Sequence, residues 1–188
     1  MSETLTSALP GAEYEGFVTV REAGLQGMIT LRGDLGSKAL AKAVTKATGC
    51  ALPAQRQITT EGDHALAWMS PDEVLILCPH DKAPALVETL SEALAGEFAT
   101  LANVSDARAV FRLSGAGWRD ALAKICPVDF APLGPGDLRR TRAAQVAAAI
   151  LVDGAEEVRV ICFRSVAQYM FDLLKTAAAP GSEPALYR

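Results

Sequence analysis

The sequence predicts an α+β fold in which two pseudo-repeated β-α-β-β-β-α halves carry mixed sheets with helices packed against them. Three observations predict it. Strand-like and helix-like runs alternate with hairpins from Met28 to Ala177, the pattern of sheets covered by helices. The element order of the first half recurs in the second. Two fixed offsets then superpose particular residues, which is how an internal duplication reads in a sequence. An offset of 82 carries Leu31, Gly33 and Ala39-Leu40-Ala41-Lys42 onto Leu113, Gly115 and Ala121-Leu122-Ala123-Lys124. An offset of 84 carries Val74, Ile76, Leu77 and Cys78 onto Val158, Val160, Ile161 and Cys162, and Leu90 onto Leu174.

Met28 to Arg32 alternates as a strand, with Ile29 and Leu31 on one face. Gly33 ends it, and Asp34 to Ser37 open a helix over Lys38 to Thr48. Its apolar positions Leu40, Ala43, Val44 and Ala47 share one stripe, and Gly49 supplies a C-cap. A polar strand near Gln55 to Thr60 precedes a hairpin of Ala65 to Met69 and Val74 to Cys78. Its turn is Ser70-Pro71-Asp72-Glu73, with proline preset for the second turn position. A helix runs from Asp81 to Ala95, with Asp81 at its N-cap and Leu86, Leu90 and Leu94 on one stripe. The second half then reads as a strand from Val110 to Leu113, a helix from Trp118 to Ile125, and a Pro- and Gly-rich connection. One long strand-like run covers Leu138 to Val152. After the Asp153-Gly154 turn come a strand from Val158 to Phe163 and a helix from Arg164 to about Ala177. Residues 1–24 read as an extended N-terminal segment, 25–177 as a single domain of two pseudo-repeats (about 25–104 and 105–177), and 178–188 as a flexible tail.

Composition narrows the function classes. The chain has 188 residues, 50% of them apolar and 21% charged, with a net charge of −4. Its pI near 5.2 argues against a nucleic-acid partner, which selects a basic face. No apolar run approaches the roughly 18 residues of a membrane span, so no membrane association is expected. The start, MSETLTSALPG, lacks the basic and apolar regions of a secretory leader. Cys50, Cys78, Cys126 and Cys162 form no C-x-x-C pair, as expected of a reduced, cytoplasmic protein.

The chemistry-bearing residues are few. His64 sits in a hairpin approach and His80 at a strand-to-helix junction, two residues after Cys78. That pair suggests a thiolate or half a metal site, but no second cluster lies within motif distance and the structural reading is favoured. Cys78 and Cys162 fall at matching strand ends, as buried apolar residues do. Gly115-Ala116-Gly117 is a fragment of a dinucleotide fingerprint without its third glycine, and a tight turn shared with Gly33 explains it better. Glu61, Asp63, Asp72 and Glu73 crowd the first hairpin, where carboxylates are usually solvated. In Arg139-Arg140-Thr141-Arg142, Arg140 and Arg142 share one strand face and Arg139 takes the other. An anion, a carboxylate of another chain, or plain solvent suits that face equally. Trp68 and Trp118 read as core or interface anchors.

Residues 103 to 174 carry a resemblance. Asn103-Val104-Ser105-Asp106-Ala107-Arg108, Leu113-Ser114-Gly115 and Asp120-Ala121-Leu122-Ala123-Lys124-Ile125-Cys126-Pro127-Val128-Asp129 resemble the gamma subunits of heterotetrameric sarcosine oxidases. Thr141-Arg142-Ala143-Ala144-Gln145-Val146, Arg164-Ser165-Val166-Ala167 and the Trp68-to-Ile76 hairpin are similar to the same family. The resemblance covers roughly residues 25 to 176. It extends to the related folate-binding aminomethyltransferases, such as the glycine-cleavage T-protein, and implies their fold of two similar α/β halves. Where those enzymes carry Asp-x-Ser-His-Met-Gly, this chain has Asn103 to Arg108, with the acid, the histidine and the glycine replaced. No position matches their catalytic aspartate. The Lys-Gly-Cys motif of the iron–sulfur maintenance relatives is missing as well.

The resemblance therefore implies a non-catalytic gamma subunit that serves assembly, with no catalytic, cofactor-binding or metal-binding residue in this chain. It implies alpha, beta and delta subunits as partners, and FAD, FMN, NAD and tetrahydrofolate bound in those partners. The whole complex would oxidise sarcosine to glycine, with hydrogen peroxide formed and a one-carbon unit passed to folate. The expected partner-facing surface includes some of Trp118, the 127–136 loop and the arginine strand. The alternative is a stand-alone folate-binding, aminomethyltransferase-like protein.

Overall fold

The computed structural model describes residues 5–187, and among them eleven strands and four α-helices form two compact units. One is Gln26–Ser105; the other joins the residues up to Leu25 with those from Asp106 onward. Two short strands, β1 (Glu13–Glu15) and β2 (Thr19–Glu22), belong to the second unit.

The Gln26–Ser105 unit opens with β3 (Gly27–Arg32) and α1 (Lys38–Thr48). Both ends of α1 are set locally. The Ser37 hydroxyl accepts the Leu40 N–H, and Gly49 adopts φ +78° while its N–H closes on the Thr45 carbonyl, the left-handed ending that glycine adopts without a Cβ penalty. Strands β4 (Ile58–Glu61), β5 (His64–Ser70) and β6 (Glu73–Cys78) follow, then α2 (Ala83–Ala93) and β7 (Thr100–Asn103). The sheet runs β4-β5-β6-β3-β7. Its helix-facing side buries Ile29, Leu31, Leu66, Val74 and Ile76 against Leu40, Val44, Leu86 and Leu90. Met28, Ala65, Ala67, Leu75 and Leu77, on the opposite face, are buried too, which is why β6 reads as an uninterrupted apolar run. A 3₁₀ turn, His80–Lys82, precedes α2. The expected N-cap at Asp81 is therefore corrected: Asp81 lies inside that turn, and no side chain caps α2.

The second unit contains β8 (Arg108–Ser114), α3 (Trp118–Ala123), β9 (Leu138–Ala143), β10 (Val146–Gly154), β11 (Glu157–Phe163) and α4 (Ala167–Ala177). The sheet order is β1-β2-β8-β11-β10-β9. Phe111, Leu113, Ile150, Val152, Val158 and Val160 bury one face against Trp118, Leu122, Met170 and Leu174. Past α4, the Leu186 N–H donates to Asp120 Oδ1 at 2.8 Å and the Tyr187 ring meets Phe130 edge-on.

The duplication is visible in the two sheet orders. β9-β10-β11-β8 repeats β4-β5-β6-β3, and each block has a further strand beside the member that comes first in the chain: β7 next to β3, β2 next to β8. The α+β class and paired halves stand as expected, whereas the sheets are antiparallel at every pairing among the described residues, not mixed. The run read as one strand from Leu138 to Val152 is two strands, turning at Ala144-Gln145. Alanine there carries no turn signal, yet Ala144 takes φ +49°.

Candidate functional site

All four cysteines are free and buried. Burial pushes the Cys126 and Cys162 thiols up to about 12. Burial also raises Cys50, and it raises Cys78 with help from the Asp81 carboxylate. A thiol held protonated is neither nucleophile nor metal ligand. Among the described residues no group of three or more His, Cys, Asp or Glu is placed to hold a metal ion.

The carboxylates expected to crowd one hairpin are in fact divided. Glu61 and Asp63 lie at the β4–β5 turn, while Asp72 and Glu73 lie at the β5–β6 turn. The seven residues of β5 separate them, about 20 Å of extended chain. Glu73 is buried and its Oε2 accepts from Arg32 Nη2 at 2.8 Å, a structural ion pair. Its repeat counterpart Glu157 is held by Arg112 at 2.6 Å. His64 opens β5 beside Glu61, and His80 lies in the 3₁₀ turn before α2.

The glycines of Gly115-Ala116-Gly117 serve packing. Gly115 adopts φ +126°, and a Cβ on Gly117 would stand 2.8 Å from the Phe17 ring. The stretch from Asn103 to Ser105 is tied down by its own side chains. Asn103 Oδ1 accepts from the Ser105 N–H and hydroxyl, and Ser105 Oγ accepts the Met28 N–H at 2.9 Å. Trp118, expected on a partner-facing surface, is fully buried: its Nε1–H donates to the Ala155 carbonyl at 3.0 Å and its ring meets Phe130 edge-on. Arg119 stacks on that ring and donates to the Phe130 and Leu133 carbonyls, binding the 127–136 loop to α3. Trp68 is half-buried on β5.

What remains is an edge and a groove. β9 is the last strand of its sheet. Register puts Arg140 and Arg142 opposite Ala149 and Ala147, on the face away from the helices, and Arg139 opposite Ile150 on the other, as strand alternation required. At the turn end of β9 lies an open groove of about 390 Å³, lined by Lys124, Ile125, Cys126, Pro127, Arg142 and Gln145 among others. The turn is held there by the Ala144 N–H, which donates to the Ile125 carbonyl at 2.8 Å. No signal in the sequence marked Ala144. Lys124 is already engaged, donating to the Ala177 carbonyl and Ser182 hydroxyl.

Comparison with known proteins decides the family. The model of the sarcosine oxidase, gamma subunit family matches residues 32–180. The chain belongs to that family. The sarcosine oxidase subunit gamma of Corynebacterium sp. (strain U-96) is 36% identical over 133 residues, 68% of this chain. The match spans 63% of that relative, less than two thirds of its length. Among solved structures, heterotetrameric sarcosine oxidase from Corynebacterium sp. U-96, in complex with pyrrole 2-carboxylate, superposes with a TM-score of 0.79 at 29% identity. It covers 88% of this chain and 87% of that one. The glycine cleavage aminomethyltransferase T of Bartonella henselae superposes with a TM-score of 0.62 over 85% of this chain and 46% of that one. At 13% identity, it shows a shared fold. No helix among the described residues is long and apolar enough to cross a membrane.

Proposed function

We propose that this chain is the non-catalytic gamma subunit of a cytoplasmic heterotetrameric sarcosine oxidase. The alpha, beta and delta subunits are its partners, and they carry the FAD, FMN, NAD and tetrahydrofolate. The complex demethylates sarcosine oxidatively: the N-methyl carbon passes to tetrahydrofolate, glycine is released, and dioxygen takes the two electrons and two protons as hydrogen peroxide. This chain supplies assembly surface rather than chemistry.

The observation that carries the reading is the likeness to the heterotetrameric enzyme, a TM-score of 0.79 at 29% identity over 88% of this chain. The burial of every thiol and the use of Asn103 and Ser105 as backbone ties support the assignment of chemistry to other chains.

Co-expression with the alpha, beta and delta chains tests it. The expected result is a stable complex by size and mass, with sarcosine-dependent peroxide production that is lost when this chain is omitted. A chain that stays monomeric beside competent partners overturns the reading. Calorimetric titration of the isolated chain with tetrahydrofolate addresses the stand-alone alternative; saturable binding in the micromolar range would favour it.

A further inference from the structure

We propose that the outer edge of β9, with Arg139 and Arg142, is the docking edge for an extended, acidic segment of a partner subunit, which adds to the six-stranded sheet as a further strand. The inference rests on the proposed function and names the place where assembly occurs. Its first support is backbone geometry. β9 ends its sheet, and among the described residues no strand lies on its outer side. Residues of an antiparallel pair alternate between exchanging hydrogen bonds with the partner strand and facing away from it. The Ala143–Val146 pair flanks the two-residue turn, and the Val152 N–H bonds the Asp137 carbonyl. Positions 137, 139, 141 and 143 therefore exchange with β10, and the intervening groups face outward; Leu138 is 1% exposed with its carbonyl held by Arg139 Nη1, so the accessible part of the edge lies toward exposed Arg142. Past buried Leu138, the rest of the strand offers about 15 Å of such edge, the kind of edge that strand addition uses.

The second support is charge. The chain as a whole is acidic, yet no acidic residue occurs from Leu138 to Val152, while three arginines do. Among the described residues neither Arg139 nor Arg142 has a carboxylate partner; Arg139 Nη1 donates only to the Leu138 carbonyl. Guanidinium groups in this setting select carboxylates and form charge-assisted bonds with them. The third support is the groove of about 390 Å³ at the turn end, which Arg142 also lines. It receives the end of a strand laid along β9. Solvated edge arginines that merely block aggregation would need no such groove.

The test measures binding of the full chain to the remaining subunits. Arg139→Glu with Arg142→Glu reverses the charge, and Arg142→Pro removes an outward N–H while leaving the bonds to β10 intact. Both should bind about tenfold more weakly or worse than the original chain with an unchanged melting temperature, while Lys46→Glu on exposed α1 should bind as before. Hydrogen exchange on the unmodified chain gives an independent readout: the Arg142 amide should slow on complex formation. Variants that bind at full strength, or an edge that gains no protection, overturn the docking edge and leave the proposed function standing. Failure of the unmodified chain to bind overturns both. Should a variant fail to fold, the exchange result on the unmodified chain decides.

Discussion

Arg159 grips Asp153 with two parallel bonds, Nε to Oδ2 and Nη2 to Oδ1, each at 2.6 Å. The pair spans the β10–β11 hairpin, where the register shift between Val152 and Gly154 re-aims Asp153, as bulges do. Arg159 is 9% exposed and sits on the sheet face away from the helices, opposite Leu151. Such a fork is geometrically specific and stronger than a neutral hydrogen bond. Asp153→Ala leaves the guanidinium buried without its acceptor and should cost about 2 kcal/mol. Asp153→Asn, which keeps one acceptor, should cost less. Urea unfolding of the two variants checks both; equal stability of Asp153→Ala and the original chain would count against this account.

Ala144 at φ +49° holds a conformation that costs a residue with a Cβ roughly 1 kcal/mol. Ala144→Gly relieves that strain while gaining unfolded-state entropy, so its stability should stay within about 0.5 kcal/mol. Ala144→Pro should destabilise by about 3 kcal/mol or more, because it forces φ negative and removes the N–H that reaches Ile125. Thermal melts of the pair distinguish strain from sequence preference.

Ser105 is the tie between β7 and β3, through the bond from Met28 N–H at 2.9 Å. Ser105→Ala leaves that buried donor without its acceptor and should cost about 1–2 kcal/mol. Equilibrium unfolding reports the loss, and hydrogen exchange should place it at Met28.

The thiols make a prediction about alkali. Burial raises the folded-state values of Cys126 and Cys162 to about 12 from the ordinary thiol value of 9.0. A raised folded value means their contribution to stability is complete below about pH 9 and is lost as the pH climbs toward 12. Stability should thus fall above pH 9, and less steeply in Cys126→Ala. At pH 8 a thiol reagent should label none of the four cysteines in the native chain and all four once it is unfolded.

Phe98 is 103% exposed, in the stretch between α2 and β7. It contributes nothing to either core, so Phe98→Ala should change stability by less than about 0.5 kcal/mol. A larger loss in a thermal melt would show that its ring packs.

Local chemistry explains what was legible. Ser37 and Gly49 delimit α1 because caps act within one turn of the helix they end. The β5–β6 turn follows from Pro71 between Ser70 and Asp72. The halves were legible because packing reused one pattern, so Leu90 and Leu174 are both fully buried on the helices that close their units. The alternation of Arg139, Arg140 and Arg142 followed from the pleat alone.

Tertiary structure decided the rest. The strand beside β3 comes from after α2, and the strand beside β8 comes from the N-terminal residues. Neither β2 nor β7 carries more than four residues, so each exists only where a neighbouring strand satisfies its backbone, a condition no local pattern encodes. The same holds for the break at Ala144, which needs the Ile125 carbonyl, and for the separation of Glu61 from Glu73 by the length of β5. Residue order specified the helices, the hairpins and their duplication, because caps, turns and apolar periodicity act over a few positions. Which strands became edges, and which charges they present, was settled by pairings between residues far apart in the chain.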